Sequence, residues 1–203
     1  MLQKPIQPEV LPLKNGELFY YPNLIQPDVA DLWYQALKQE LNWRQESLVV
    51  YGQSHQIPRL QALYGDKGLS YQYSKQRFNV TPWLPNLLQL KSLVEQVSGA
   101  QFNCVLANLY RDGQDCMGWH ADDEAELGKM PVIASLSLGA QRTFKLKHRL
   151  SNDTYSLELE SGSLLIMAGN TQEFWYHSLP KRVRVKNGRI NLTYRYLHSD
   201  KIY

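Results

Sequence analysis

Cysteine is scarce in this 203-residue chain, where Cys104 and Cys116 are the two thiols available. At most one bridge could form, and a chain of this length buries enough apolar surface to stand without it, which favours a reducing compartment. No stretch approaches the roughly 20 apolar residues that a membrane helix needs. The opening "MLQKPIQPEVLPLKNGELFYYPNLI" also lacks the charged start and apolar core of a secretory leader. The expectation is a protein that is neither secreted nor membrane-bound, cytoplasmic in a bacterium or nuclear in a eukaryote. Neither sign of charge is in large excess: 22 Lys and Arg oppose 19 Asp and Glu, for a net charge of +3. Any nucleic-acid role would therefore need basic residues gathered on one face. Internal repeats and low-complexity tracts are absent too, and the length fits one domain, expected to act as a monomer.

What is present falls into two textures. Residues 1–26 are proline-rich without a clear period and read as an irregular lead-in. From Asp28 to Asn42, Val29, Leu32, Trp33, Ala36, Leu37 and Leu41 recur at helical spacing. A second helix is expected from about Pro82 to Ser98, with Leu87, Leu90, Leu93, Val94 and Val97 as its stripe and Gly99 as its stop. Between the helices, aromatics, glycines and polar residues mix as in strands and long loops. After Gly99, short runs such as "FNCVLANLY", "PVIASLSLG", "GSLLIMAG" and "RINLTYRYL" alternate with turns, the pattern of an all-β sandwich or barrel. A curled double sheet with helices braced on one outer face follows, because amphipathic helices need an apolar surface to cover.

The chemistry gathers in the β half. His120 and Asp122 stand two apart in "MGWHADDEAEL", so in extended chain both side chains point one way. A solvated acidic loop is the competing reading. His177, in "EFWYHSLP", would complete two histidines and a carboxylate, the facial set that binds ferrous iron and leaves positions open. Taken singly, it could equally be a core histidine. In "RINLTYR", Arg189, Asn191, Thr193 and Arg195 share one face of a strand whose other face carries Ile190, Leu192 and Tyr194. Burial of four such polar groups requires a polar partner, and a dicarboxylate would satisfy the guanidinium forks; an exposed strand would leave them solvated. Asn108 and Tyr110 share a face in "ANLYRDG" and are either donors to the same ligand or a satisfied pair beside a turn.

In order, "PR", "YGD", "NLY", "HADDE", "WYHSLP" and "RINLTYR", preceded by "VVYG" at residue 49, make the chain resemble the AlkB family of iron(II)- and 2-oxoglutarate-dependent dioxygenases. The resemblance extends to Arg195 and is to the branch that repairs alkylated bases in duplex DNA. It implies an α+β, mainly β fold: a double-stranded β-helix (jelly roll) with N-terminal helices and a nucleotide-recognition lid. The whole chain would be a single dioxygenase domain, with helices and lid over residues 27–99 and the catalytic β-helix over 100–203.

By the same resemblance, His120, Asp122 and His177 would be the catalytic iron(II) ligands. Asn108, Tyr110, Arg189, Asn191, Thr193 and Arg195 would line the 2-oxoglutarate site, with Arg189 on the distal carboxylate. The implied reaction is oxidative dealkylation of 1-methyladenine, 3-methylcytosine and etheno adducts, consuming dioxygen and releasing succinate, carbon dioxide and formaldehyde. A target base must leave the stack to reach the iron. The resemblance puts Tyr71, Gln72, Tyr73, Asp123 and Glu124 beside it, and Tyr51, Gly52 and Gln53 at the gap it leaves. Tyr51 departs from the phenylalanine of that branch. Interleaved aromatic and basic residues from Val49 to Phe78 suit nucleic acid, although ordinary surface tyrosines give the same composition. Alkylated DNA is the expected partner. RNA or a protein side chain is the alternative substrate, and a damage-binding module without turnover is the alternative class.

Overall fold

The computed structural model describes residues 7–50, 53–73 and 76–198; the side chains of 48–50, 54, 70–73 and 76–79 also lie outside the description. Two strands open it, β1 (Glu9–Leu13) and β2 (Gly16–Tyr21), followed by helix α1 (Pro27–Glu40). Next come β3 (Ser47–Val50), β4 (Gln53–Gln56), β5 (Leu60–Gly65), β6 (Ser70–Tyr73), β7 (Gln76–Asn79), β8 (Thr81–Pro82) and helix α2 (Pro85–Ser98). The remainder contains β9 (Cys104–Tyr110), β10 (Met117–His120), β11 (Ile133–Gly139), β12 (Arg142–His148), β13 (Thr154–Leu159) and β14 (Leu164–Ala168). A short helical turn α3 (Thr171–Phe174), β15 (Trp175–Leu179) and β16 (Arg189–Arg195) complete the order.

Eight strands form a large sheet in the order β1-β2-β14-β11-β16-β9-β5-β8, and four form a small one, β10-β15-β12-β13. Period-two alternation gives the large sheet two different faces. On β16, Ile190, Leu192 and Tyr194 join Leu136, Leu138 and Ala107 in a core that α1 and α2 cover with Leu37, Leu87, Leu90 and Val94. From the other face, Leu18, Ile133, Leu165 and Met167 pack against Phe144, Leu146, Trp175 and Leu179 of the small sheet. The space between the sheets is therefore apolar at one part and, under β16 and β9, polar. Two hairpins, β3–β4 and β6–β7, form separate two-stranded sheets.

Three expectations are corrected. The lead-in is not irregular: β1 pairs with β2, and β2 with β14, so residues 9–21 extend the large sheet. Pro12 is tolerated because β1 is an edge strand, and Asn15 at φ 55 supplies the turn. The buried face of α1 is also rotated from the apolar stripe. Ala30, Tyr34, Leu37 and Leu41 are buried, whereas Val29 and Leu32 are 41% and 71% exposed. Close approach to the sheet decides this, since Tyr34 fills the space that side chains at Gly139 and Gly188 would occupy. Finally, α2 begins at Pro85, which sits at the first helical turn, and not at Pro82, which pairs in β8. Its end is as expected, with Gly99 left-handed at φ 69. Cys104 and Cys116 are both free thiols.

Candidate metal centre and anion pocket

Neighbouring strands bring the histidines together. β10 and β15 are antiparallel with His120 opposite His177, and their ring centroids are 4.1 Å apart. Asp122 follows β10, and ligand atoms of the three residues all lie within 4.8 Å of one another. Two imidazoles and one carboxylate at that separation can hold one transition-metal ion, and the set fits ferrous iron. His120 Nδ1 lies 2.9 Å from the Gly118 carbonyl, which can only accept, so Nδ1 carries the proton and Nε2 keeps its lone pair. Phe144 stacks on His177 at 5.3 Å, fixing the second ring.

Asp122 is 1% exposed and is held from two sides. Its backbone N–H donates to Gln172 Oε1 at 2.9 Å, while Arg195 places Nη2 2.9 Å from both carboxylate oxygens. Burial works against ionisation, but Arg195, His177 and His120 outweigh it, and the carboxyl is held below the ordinary carboxylate value. Burial also pushes His177 down to about 3, assisted by His120. His120 is lowered for the same first reason. At neutral pH the centre is thus two neutral imidazoles and one carboxylate, the protonation state that metal ligation needs.

The inner face of β16 continues this wall. Arg189 is 2% exposed, donates from Nη2 to Ser137 Oγ at 2.9 Å, and has no partner at Nε. Burial lowers its pKa to about 10, so it remains charged at neutral pH. No carboxylate pairs with it among the described residues, which is costly for a buried cation and is relieved by a bound carboxylate. Asn108 Oδ1 accepts from Arg59 Nε and Gln61 Nε2, both at 2.9 Å, which commits that oxygen and turns its amide donors to the cavity. Asn191 and Thr193 also face the cavity but satisfy each other and Ser135: Thr193 Oγ1 donates to Asn191 Oδ1, and Asn191 Nδ2 to Ser135 Oγ, each at 2.8 Å. They brace the wall. Arg195, grouped from sequence with the anion site, lines the same cavity and also clamps Asp122.

The expected base-contacting residues divide differently. Asp123 is paired with Arg149 at 2.6 Å, and that guanidinium lies 4.3 Å over the Tyr176 ring. Neither exposed Asp123 nor half-buried Glu124 is part of the cavity wall. Gln53 is exposed at the start of β4, and Tyr51 and Gly52 before it lie outside the described residues. Tyr71, Gln72 and Tyr73 form β6, and their side chains lie outside the described residues. Sequence reasoning missed Arg59, which is 3% exposed in the cavity wall, and Gln172. The "PR" motif pointed to Arg59, whereas nothing local distinguishes Gln172.

Comparison with known proteins agrees with this geometry. Residues 17–195 match the family model described as "2OG-Fe(II) oxygenase superfamily". The chain is 40% identical over 190 residues to "Alpha-ketoglutarate-dependent dioxygenase alkB homolog 3" of Rattus norvegicus, covering 89% of this chain and 64% of that protein. It is 42% identical over 183 residues to "DNA oxidative demethylase ALKBH2" of Mus musculus, covering 85% of this chain and 77% of that one. A solved structure described as "The structure of OsALKBH1" superposes with a TM-score of 0.65 at 19% identity, covering 91% of this chain and 100% of that one, a likeness of fold. The chain spans just under two thirds of the length of the alkB homolog 3 proteins it matches. On the family model that covers residues 17–195 and the identity to these relatives, it belongs to the 2OG-Fe(II) oxygenase superfamily and, within it, to the AlkB family.

Proposed function

We propose that the protein oxidatively removes alkyl groups from base nitrogens in DNA, using iron(II), 2-oxoglutarate and dioxygen. One observation carries this reading: His120, Asp122 and His177 share a cavity with a buried arginine, Arg189, that has no carboxylate partner among the described residues. The names of the relatives supply the substrate class. When bound, the iron and keto acid activate dioxygen and supply the oxidant that hydroxylates the carbon attached to a base nitrogen.

The chain's own residues position and insulate. His120 and His177 present neutral nitrogens, and Asp122 a carboxylate that Arg195 keeps ionised. Arg189 receives the distal carboxylate of 2-oxoglutarate, with Tyr110 and the Asn108 amide beside it. Asn191 and Thr193 hold Ser135 and so keep that wall from collapsing. The hairpins β3–β4 and β6–β7, carrying Tyr51, Gly52, Gln53, Tyr71, Gln72 and Tyr73, receive the flipped base, with Asp123 and Glu124 at the outer rim. The substrates are 1-methyladenine, 3-methylcytosine and small etheno adducts in DNA, and the protein acts as a monomer.

Mass spectrometry of oligonucleotides carrying one such lesion, in duplex DNA, single-stranded DNA and RNA, tests the proposal. Loss of the alkyl group that depends on both iron(II) and 2-oxoglutarate is expected, with DNA preferred. Asp122→Ala should abolish it while changing DNA affinity far less. Turnover that survives this substitution, or loss of the group without 2-oxoglutarate, would refute the assignment.

A further inference from the structure

Two guanidinium groups flank the ring of Tyr110, one from each sheet. Arg189 of β16 lies 5.4 Å from the ring centroid and Arg142 of β12 lies 5.7 Å away. Arg142 is 1% exposed and is behind the cavity wall. It makes no ion pair among the described residues; Asp115, the nearby acid, is gripped by Arg111 at 2.7 and 2.8 Å. Two buried cations around one phenol, with no carboxylate committed to either among the described residues, raise the positive potential at this end of the cavity.

The partners of Arg142 are main-chain carbonyls. Nη1 donates to Asp112 at 3.1 Å, and Nη2 to Asp115 at 2.8 Å and Pro180 at 2.9 Å. Asp112 and Asp115 lie on the connection from β9, which carries Asn108 and Tyr110, to β10, which carries His120. Pro180 begins the connection from β15, which carries His177, to β16, which carries Arg189. Each connection joins a strand of the metal half to a strand of the anion half. The planar fork of one arginine ties both together, a geometry that a lysine ammonium cannot reproduce.

We infer that Arg142 is a positioning residue for 2-oxoglutarate: it fixes the span between the metal triad and Arg189, and its charge adds to the pull on the distal carboxylate. The inference rests on the proposed use of this cavity. A keto acid held at both ends is sensitive to that span, whereas one held only at the metal is not.

The test titrates the Mn(II)-loaded chain, which binds the keto acid without turnover, with 2-oxoglutarate and with 2-oxopentanoate, the same keto acid without the distal carboxylate. Arg142→Met should weaken 2-oxoglutarate on the order of tenfold. Affinities for 2-oxopentanoate and Mn(II) should stay within about twofold. Equal weakening of both acids, as general loss of structure would give, or no weakening, overturns the inference. Arg142→Lys keeps the charge and loses the fork, so its preference should fall between those of wild type and the methionine variant. A wild-type preference in the lysine variant also overturns the inference, whether or not the methionine variant folds. If the wild-type chain does not prefer 2-oxoglutarate to 2-oxopentanoate, the proposed function itself fails.

Discussion

Replacing Arg195 by Met isolates the electrostatic part of the metal centre. The side chains of Arg195 and Asp122 are 5% and 2% exposed, and the guanidinium makes contacts of 2.9, 2.9 and 3.2 Å to the carboxylate. Methionine has a similar length, so the main change is a buried carboxylate left without its cation. Breaking such a pair from one side costs about 3–5 kcal/mol, a large part of a typical stability of about 5–15 kcal/mol. An independent ceiling comes from protonation. The variant can escape burying the charge by taking up a proton, which at pH 7.5 costs about 5 kcal/mol for a carboxyl that ionises near 3.9 and only about 2 kcal/mol at pH 5.5. The deficit should therefore shrink as pH falls. It should also shrink when Mn(II) is bound, because the ion supplies the missing positive charge. Urea denaturation of the metal-free and Mn(II)-loaded proteins at both pH values measures this. A metal-free deficit below about 1 kcal/mol, the worth of an exposed pair, would refute the reasoning. So would a deficit indifferent to both pH and metal.

Three further outcomes follow from other buried groups. His177 stays neutral in the fold down to about 3 against an ordinary 6.5. The unfolded chain therefore binds more protons between those values, and metal-free stability should fall as pH drops through that window by up to about 1.4 kcal/mol per unit. Urea midpoints of wild type and His177→Gln should show a flatter slope for the variant; parallel slopes would contradict it. The Tyr194 hydroxyl is buried without a hydrogen-bond partner among the described residues, so Tyr194→Phe should stabilise by about 1 kcal/mol and raise the calorimetric Tm by about 2–4 °C. A Cβ on Gly113 would collide with the Arg182 carbonyl oxygen, in a loop tied by Gly113 N–H to the Val185 carbonyl at 2.9 Å and Arg182 N–H to the Gly113 carbonyl at 2.8 Å. Gly113→Ala should cost about 1–3 kcal/mol and expose Lys181, Arg182, Arg184 and Lys186 to faster tryptic cleavage.

Much of the site was legible before any coordinates because strand chemistry repeats every two residues. Arg189, Asn191, Thr193 and Arg195 had to share a face once "RINLTYR" was a strand, and the apolar residues between them had to share the other. The ends of α2 were half legible, since Gly99 is a stop with a local cause, while the choice between Pro82 and Pro85 as its start depended on whether β8 could pair with β5. The face of α1 was only partly legible: Leu37 and Leu41 of the stripe are buried and Trp33 packs against the core, but Val29 and Leu32 are not on that face. Its apolar stripe is broad, and the close approach of the helix over Gly139 and Gly188 selected Ala30 and Tyr34 over Val29 and Leu32.

By itself, the sequence determined the donor set, the two helices followed by a strand-rich half, and the alternation that separates a polar inner face from an apolar outer one, because each depends on residue type and short spacing. Tertiary structure decided who meets whom. Arg195 finds Asp122 across 73 positions, Asn191 finds Ser135 across 56, and Asp122 finds Gln172 across 50. A guanidinium on an inner face will satisfy whichever anion the neighbouring strand delivers, and strand neighbours are set by the closing of two sheets over one core. For that reason Arg195 became a brace for the metal ligand and Arg189 was left open to an anion, although the strand presents both on the same side.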